Sequence, residues 1–172
     1  MKFVDDSLVP YQPYPELRIV LETFLRELQD ILAGNLVGVY LVGSLATGGF
    51  DLDSDIYFMT VIHNDLTNGD IHDLDAVMRR MHAMGCYPAE HLEGSFITTR
   101  DLVDWSTVGA KNLVYFDNGS TESELSTHDN KWHVRWILRE CGVTLIGPKS
   151  ETLLPPNKGV TRRADLPLTR RK

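Results

Sequence analysis

The tightest constraint on the fold lies in residues 36–62. Leu36–Val42 is a short apolar run rich in strand formers that leads straight into Gly43 and Ser44, and after a loop of small residues Ser54 and Asp55 open a second such run over 55–62. Short continuous apolar segments bounded by turn residues are the pattern of buried strands. The joint between them has a readable chemistry. Glycine lets backbone amides approach a phosphate closely, Ser44 adds a hydroxyl donor, and a helix beginning at Ser44 would aim its free amides at the same place. A carboxylate at the mouth of the neighbouring strand, Asp55, is then placed to hold a magnesium ion that neutralises phosphates. The loop has neither the Gly-Lys-Ser/Thr of a P-loop nor the GxGxxG of a dinucleotide fold. The plain alternatives are a turn without a ligand and, for Asp51, Asp53 and Asp55, a solvated acidic turn.

The remaining periodicities place the other elements. Leu17, Val20, Leu21, Phe24, Leu25, Leu28, Ile31 and Leu32 recur at helical spacing, with Pro15 suited to a first turn and Gly34 to a stop. Asp70 is the expected cap of a helix through His82 that carries Ile71, Leu74, Val77, Met78 and Met81 on one face. A third strand is expected over 93–99, a short helix over 100–105, and a strand or hairpin at Leu113–Phe116 within an otherwise polar stretch. Helix resumes near Asp129, Gly142 stops it, and Val143–Ile146 reads as a short strand. Together these predict an α/β (α+β) domain over 1–156, with strands 36–42, 55–62 and 93–99 adjacent in one mixed sheet and helices on one side. The last residues, 157–172, read as a basic, disordered tail.

Composition narrows the class. A chain of 172 residues with 42% hydrophobic and 24% charged content has the make-up of one globular domain. No apolar run approaches the roughly 20 residues of a membrane span, and the N-terminus lacks a secretory pattern, so a cytoplasmic protein with no membrane partner is expected. Cys86 and Cys141 form no CxxC pair and read as reduced core thiols. The formal charge of −7 hides an asymmetry: residues 158–172 hold six Lys/Arg and one Asp, which leaves 11 Lys/Arg against 23 Asp/Glu, or −12, in residues 1–157. Such a body repels nucleic-acid phosphates, so a nucleotide must arrive with cations or meet a few well-placed backbone groups. His128 and His133 lie off the i, i+4 spacing of a zinc pair and read as surface or capping residues. Trp132 and Trp136 share a helical face, which suits burial against the sheet better than base stacking.

The stretch from Leu41 to Tyr57, with its Gly43-Ser44 followed by Ser54-Asp55, resembles the signature of the polymerase-beta-like nucleotidyltransferases, and within them the aminoglycoside adenylyltransferases acting on streptomycin and spectinomycin. His91 to Ile97 is similar to the strand bearing that family's third acidic residue, and Val134 to Pro148 to its helix leading into a Gly-Pro turn. The resemblance covers residues 15–156. It implies the nucleotidyltransferase fold, a small mixed sheet with flanking helices, and magnesium-dependent transfer of AMP from ATP to a hydroxyl of a small, aminoglycoside-like acceptor, an antibiotic-resistance chemistry. By position, Gly43 and Ser44 would contact the nucleotide phosphates, Asp55 would hold magnesium, and Glu93 would be the third carboxylate, either a metal ligand or the base for the acceptor hydroxyl.

Two departures stand against the family pattern. Its second Asp, two residues after the first on the same strand face, is here Tyr57, a neutral phenol and a poor magnesium ligand. Asp51 and Asp53 lie close enough in sequence to substitute in part. The family also continues into a helical C-terminal domain that this sequence does not include, so either the chain is a fragment or the acceptor cleft is open or filled by a partner, a second copy among them. A non-catalytic nucleotide-binding or interaction module is the alternative that Tyr57 favours.

Overall fold

A computed structural model describes residues 9–11, 13–51 and 53–154. Helix α1 (Pro15–Leu32) begins with proline in its first turn, where the missing N–H costs nothing, and buries Leu17, Val20, Leu21, Phe24, Leu25, Leu28 and Leu32. Strand β1 (Leu36–Val42) runs into the single-turn helix α2 (Ser44–Thr47), and β2 (Ile56–Ile62) returns antiparallel beside β1. Helix α3 (Asn68–His82) then crosses over through the short helix α4 (Tyr87–Glu90) to β3 (Leu92–Thr98), which pairs parallel to β2. The remaining elements are α5 (Thr99–Val103), β4 (Leu113–Phe116), β5 (Glu124–Ser126), α6 (Trp132–Cys141), β6 (Val143–Ile146) and α7 (Ser150–Leu153). All six strands form one mixed sheet in the order β5-β4-β3-β2-β1-β6.

The three strands expected to be neighbours are neighbours, but the helices do not lie on one side. On one face α1 and α3 cover Val39, Leu41, Ile56, Phe58, Leu92, Phe96 and Phe116. Phe24 packs at 4.8 Å between centroids on Phe58, which meets Phe96, which meets Phe116, so a chain of rings ties α1 across the sheet. On the other face Tyr40, Val42, Met59, Val61, Ile97 and Leu113 are met by Val134 and Leu138 of α6, Leu102 of α5 and Leu154. Each strand of a central sheet exposes two apolar faces, and burying a side chain of this size is worth about 1.5–3 kcal/mol, so both faces must be covered.

Local chemistry corrects several boundaries. Thr67, not Asp70, caps α3. Its side chain accepts from the Asp70 N–H while the Asp70 carboxylate takes the Thr67 N–H at 2.8 Å, a reciprocal capping box. Helix α6 starts at Trp132, which leaves Asp129 in the segment before it. Trp132 is exposed and Trp136 only half-buried, because Val134, Arg135 and Leu138 take the inner face. The polar stretch before α6 contributes the edge strand β5, whose residues alternate too briefly to be recognised as a strand. Both cysteines are free and half-buried. The expected tail at 157–172 lies outside the described residues.

Candidate functional site

The turn after β1 is built on Gly43, whose φ of 72° and ψ of −146° belong to glycine alone. A Cβ there would meet Tyr57 Cβ at 3.6 Å, so the turn sits directly over the mouth of β2. Ser44 is the first residue of α2, as expected, and the turn is closed by the Ala46 and Thr47 amides on the Gly43 carbonyl at 3.2 and 3.1 Å. The first amides of a helix have no partner within it.

Strand periodicity decides which side chains share this end of the sheet. Tyr57 packs towards the α6 face while Ile56 and Phe58 pack towards α1. In the parallel ladder Tyr57 is the register partner of Glu93, and Gly94 beyond it has no room for a side chain, since a Cβ would come within 2.1 Å of the Phe58 carbonyl. Asp55, the residue before β2, and Glu93 of β3 thus stand at the same end of the sheet, with different side-chain partners.

Each acidic group is held by neutral donors. Asp55 accepts from Asn118 Nδ2 at 2.9 Å and faces the Tyr87 hydroxyl at 3.4 Å. Glu93 accepts from the Tyr115 hydroxyl at 2.7 Å, and the same hydroxyl lies 3.0 Å from Asp117. Burial, and then the charge of Asp129, raise the Glu93 carboxyl above its usual range even though Tyr115 and His128 act in the other direction. A carboxylate shifted this way moves towards the pH at which a general base is effective.

Asp129 was not among the sequence-derived site residues, and it is the most buried acid of the group. Its side chain is fully covered, with one oxygen taking the Tyr57 hydroxyl proton and the other the Ser95 hydroxyl proton at 2.5 Å. His128 stacks on Tyr115 and brings Nε2 to 3.9 Å from Glu93 and 4.0 Å from Asp129. Among the described residues no Lys or Arg pairs with Asp55, Glu93, Asp117 or Asp129. The only sequence signal for Asp129 was its position at the expected helix start, which said nothing about the direction of its side chain. Tyr57 itself stays neutral, because burial and then Asp129 push its phenol far above the ordinary value.

Asp51 and Asp53 lie on the loop beside Asp55, where the Tyr87 hydroxyl that faces Asp55 also donates to the Asp53 carbonyl at 2.8 Å. Asp51 accepts from the Asp53 amide at 3.1 Å and the Ser54 hydroxyl at 2.9 Å, an Asx-type turn on the exposed loop.

Magnesium keeps several waters and uses one or two carboxylates together with the nucleotide's own phosphates. Asp55 suits that role, being half-buried and held only by exchangeable neutral donors, whereas the phenol of Tyr57 does not. Among the described residues no group of three or more His, Cys, Asp or Glu could hold a metal ion. Beside Gly43 a cleft of about 260 Å³ opens between the end of β1 and α6, lined by Val42, Tyr57, His133, Val134 and Ile137.

No protein-family model matches the chain. Among curated proteins it is similar to a spectinomycin 9-adenylyltransferase of Campylobacter jejuni, 26% identical over 134 residues that make up 74% of this chain and 52% of that protein. A spectinomycin 9-adenylyltransferase of Staphylococcus aureus (strain N315) is 26% identical over 155 residues, 85% of this chain and 56% of the relative. The chain thus spans about half the length of the curated relatives it matches. Among solved structures it is similar to the spectinomycin adenyltransferase AAD(9) from Enterococcus faecialis with ATP and spectinomycin, with a TM-score of 0.60 at 19% identity over 80% of this chain and 59% of that one. The two share the nucleotidyltransferase-type fold.

Proposed function

We propose that this chain, a relative of the aminoglycoside-adenylyltransferase-like nucleotidyltransferases, is the nucleotide-binding part of an enzyme that transfers AMP from ATP to a hydroxyl of a small, amine-bearing acceptor. The observation that carries the reading is the strand order and register, which support placing Gly43, Ser44, Asp55 and Glu93 at one end of the sheet, where among the described residues no Lys or Arg pairs with the two acids. Gly43 and Ser44 would receive the phosphates through backbone amides and the serine hydroxyl. Asp55 would hold magnesium together with oxygens of the nucleotide, and the ion when bound would offset the charge on the phosphates.

Glu93 is the base of the reaction. With its carboxyl raised by burial, it takes the proton of the acceptor hydroxyl as that oxygen bonds to the α-phosphorus and the bond to the β-phosphate oxygen breaks, releasing pyrophosphate. Positioning and charge neutralisation supply most of the rate in such displacements. The resemblance also suggests that further chain or a partner completes the acceptor side.

Calorimetry with ATP tests this. Binding is expected in magnesium and lost in chelator, and Asp55→Asn should weaken it by roughly ten-fold, about 1.4 kcal/mol. Equal affinity in chelator would remove the carboxylates from the reading. A second reading, a non-catalytic nucleotide-binding module, is favoured by one observation, the Tyr57 hydroxyl tied to Asp129 where the family has its second carboxylate. ATP binding of equal affinity in magnesium and in chelator would select it.

A further inference from the structure

Against the N-terminal end of α1 lies a cavity of about 320 Å³ that the proposed reaction does not use, a size at the lower end of the roughly 300–1,000 Å³ of small-molecule sites. Three of its lining residues are half-buried rings, Tyr14, Phe50 and Tyr87, and three are exposed acids, Glu16, Asp51 and Asp53. None of the described residues that line it is Lys, Arg or His. Among the described residues none of the three acids has an ion-pair partner.

The walls are tied to the fold and to each other. Tyr14 meets Phe50 at 5.0 Å between centroids with the ring planes 68° apart, so the two rings form a corner. Phe50 also packs on the buried Tyr11, whose hydroxyl donates to the Leu45 carbonyl at 3.1 Å. Tyr87 stacks on His91 at 3.8 Å and donates its hydroxyl to the Asp53 carbonyl at 2.8 Å, which joins the third ring to the acidic loop. An aromatic face is the negative part of the ring quadrupole, and the carboxylates add to it, so the lining attracts cations and repels anions. The first turn of α1 opposes this only in part, because Pro15 has no N–H and Glu16 offsets the positive end of the helix. A bare metal ion wants a shell of oxygens, which three rings do not supply. An alkylated ammonium suits both halves of the lining, with its apolar substituents against the rings and its charge near the acids.

We propose that this cavity is a binding site for a small organic ammonium ion. The site goes beyond the nucleotidyltransferase reading and does not depend on it. The ammonium has two sources, a free amine and an amine-bearing acceptor.

The probe is choline chloride, titrated into the parent chain at constant ionic strength and compared with its neutral isostere 3,3-dimethylbutan-1-ol, with the ring and amide resonances of the protein as the readout. Choline should shift the rings of Tyr14, Phe50 and Tyr87 with a Kd on the order of 1 mM, and the alcohol should bind roughly five-fold more weakly, the scale of one cation–π contact. Equal affinity for the two probes overturns the proposal, as do choline shifts that leave these rings unmoved or that sodium chloride reproduces. Phe50→Leu keeps apolar bulk and removes a ring, and should weaken choline by roughly five-fold. Asp53→Asn keeps the carbonyl that Tyr87 holds, and should weaken choline by roughly two-fold while leaving the alcohol unchanged. A folded Phe50→Leu chain that binds choline as the parent does would also overturn the site, and the comparison of the two probes on the parent needs no variant.

A competition arm separates the sources. Spectinomycin that displaces choline from the three rings identifies the acceptor, whereas spectinomycin that leaves choline in place identifies a free amine. A chain that binds MgATP and not choline removes this inference alone, and one that binds choline and not MgATP removes the nucleotidyltransferase reading alone.

Discussion

The parallel strands β2 and β3 carry acidic residues at both ends, and the two ends treat them in opposite ways. Beyond the C-terminal ends, Asp101 is buried with Lys111 Nζ at 2.5 Å, the Thr98 hydroxyl at 2.7 Å and Arg100 at 3.7 Å, while Asp65 takes Lys111 at 3.0 Å. Arg135 lies nearby, almost wholly buried, giving hydrogen bonds to the carbonyls of Asp101 and Asp104 and to Thr107 and Asn130, with its guanidinium over Trp105. At the other end Asp55, Glu93 and Asp129 have hydroxyl and amide donors and one imidazole at 3.9–4.0 Å. The first end is balanced from within and serves the fold. At the second, among the described residues, no Lys or Arg pairs with the three acids, and carboxylates without a paired cation are a cost to the folded chain.

The largest effect should come from removing the balance where it exists. Arg135→Ala strips four acceptors of their donor, and we expect a loss of about 3 kcal/mol in denaturant unfolding. A loss below about 1 kcal/mol would mean that the loop before α6 is held by its apolar neighbours alone. Lys111→Ala should cost less, about 2 kcal/mol after allowance for the partly exposed ammonium, and adding Asp101→Asn should recover much of it. For Asp101 burial acts to raise the carboxyl, but Lys111 and Thr98 prevail and hold it below the ordinary value. Its stabilising contribution is thus present above the unfolded pKa and lost as pH falls through the folded one, so the gap between parent and Lys111→Ala should close in acid.

At the other end the same measurements should behave differently. Tyr57→Asp places a second carboxylate against Asp129, so the variant should be less stable than the parent in chelator and should gain a few-fold in magnesium-dependent ATP binding, on the order of 1 kcal/mol. No gain in magnesium would show that the two carboxylates cannot share a cation there. The smallest effect is expected at Glu93. Its carboxyl is raised in the fold, so its favourable contribution is complete below the unfolded pKa and is lost as pH rises through the folded value. Glu93→Gln should therefore gain in thermal stability relative to the parent as pH rises from about 4 towards neutrality, and a gap that narrows instead would contradict the desolvated position of the carboxylate.

Much of this was legible in the chain. Periodicity placed α1, β1, β2, β3, β4 and β6 because their apolar residues recur at the spacing of a helix face or run unbroken through a buried strand. Glycine at 43 marked the turn because no other residue tolerates that backbone. The Thr67 cap and the strand β5 escaped because their signals are shorter than one period of either pattern. The covering of both sheet faces escaped because an apolar strand does not say which helix will meet which side.

The sequence by itself determined the order of the elements, the Gly43-Ser44 turn, the three neighbouring strands, and the odd phenol at Tyr57. These follow from contacts a few residues apart or from a strand period of two, which the chain carries in linear form. Only the tertiary structure decided that α6 lies across the site face, and that Asp129, separated from Tyr57 by 72 positions, takes its proton. It also decided that Lys111 and Arg135 gather at one end of the strands, while among the described residues no Lys or Arg pairs with Asp55, Glu93 or Asp129 at the other. Those pairings depend on where distant segments pack, and a fully buried carboxylate has the same letter in the sequence as an exposed one.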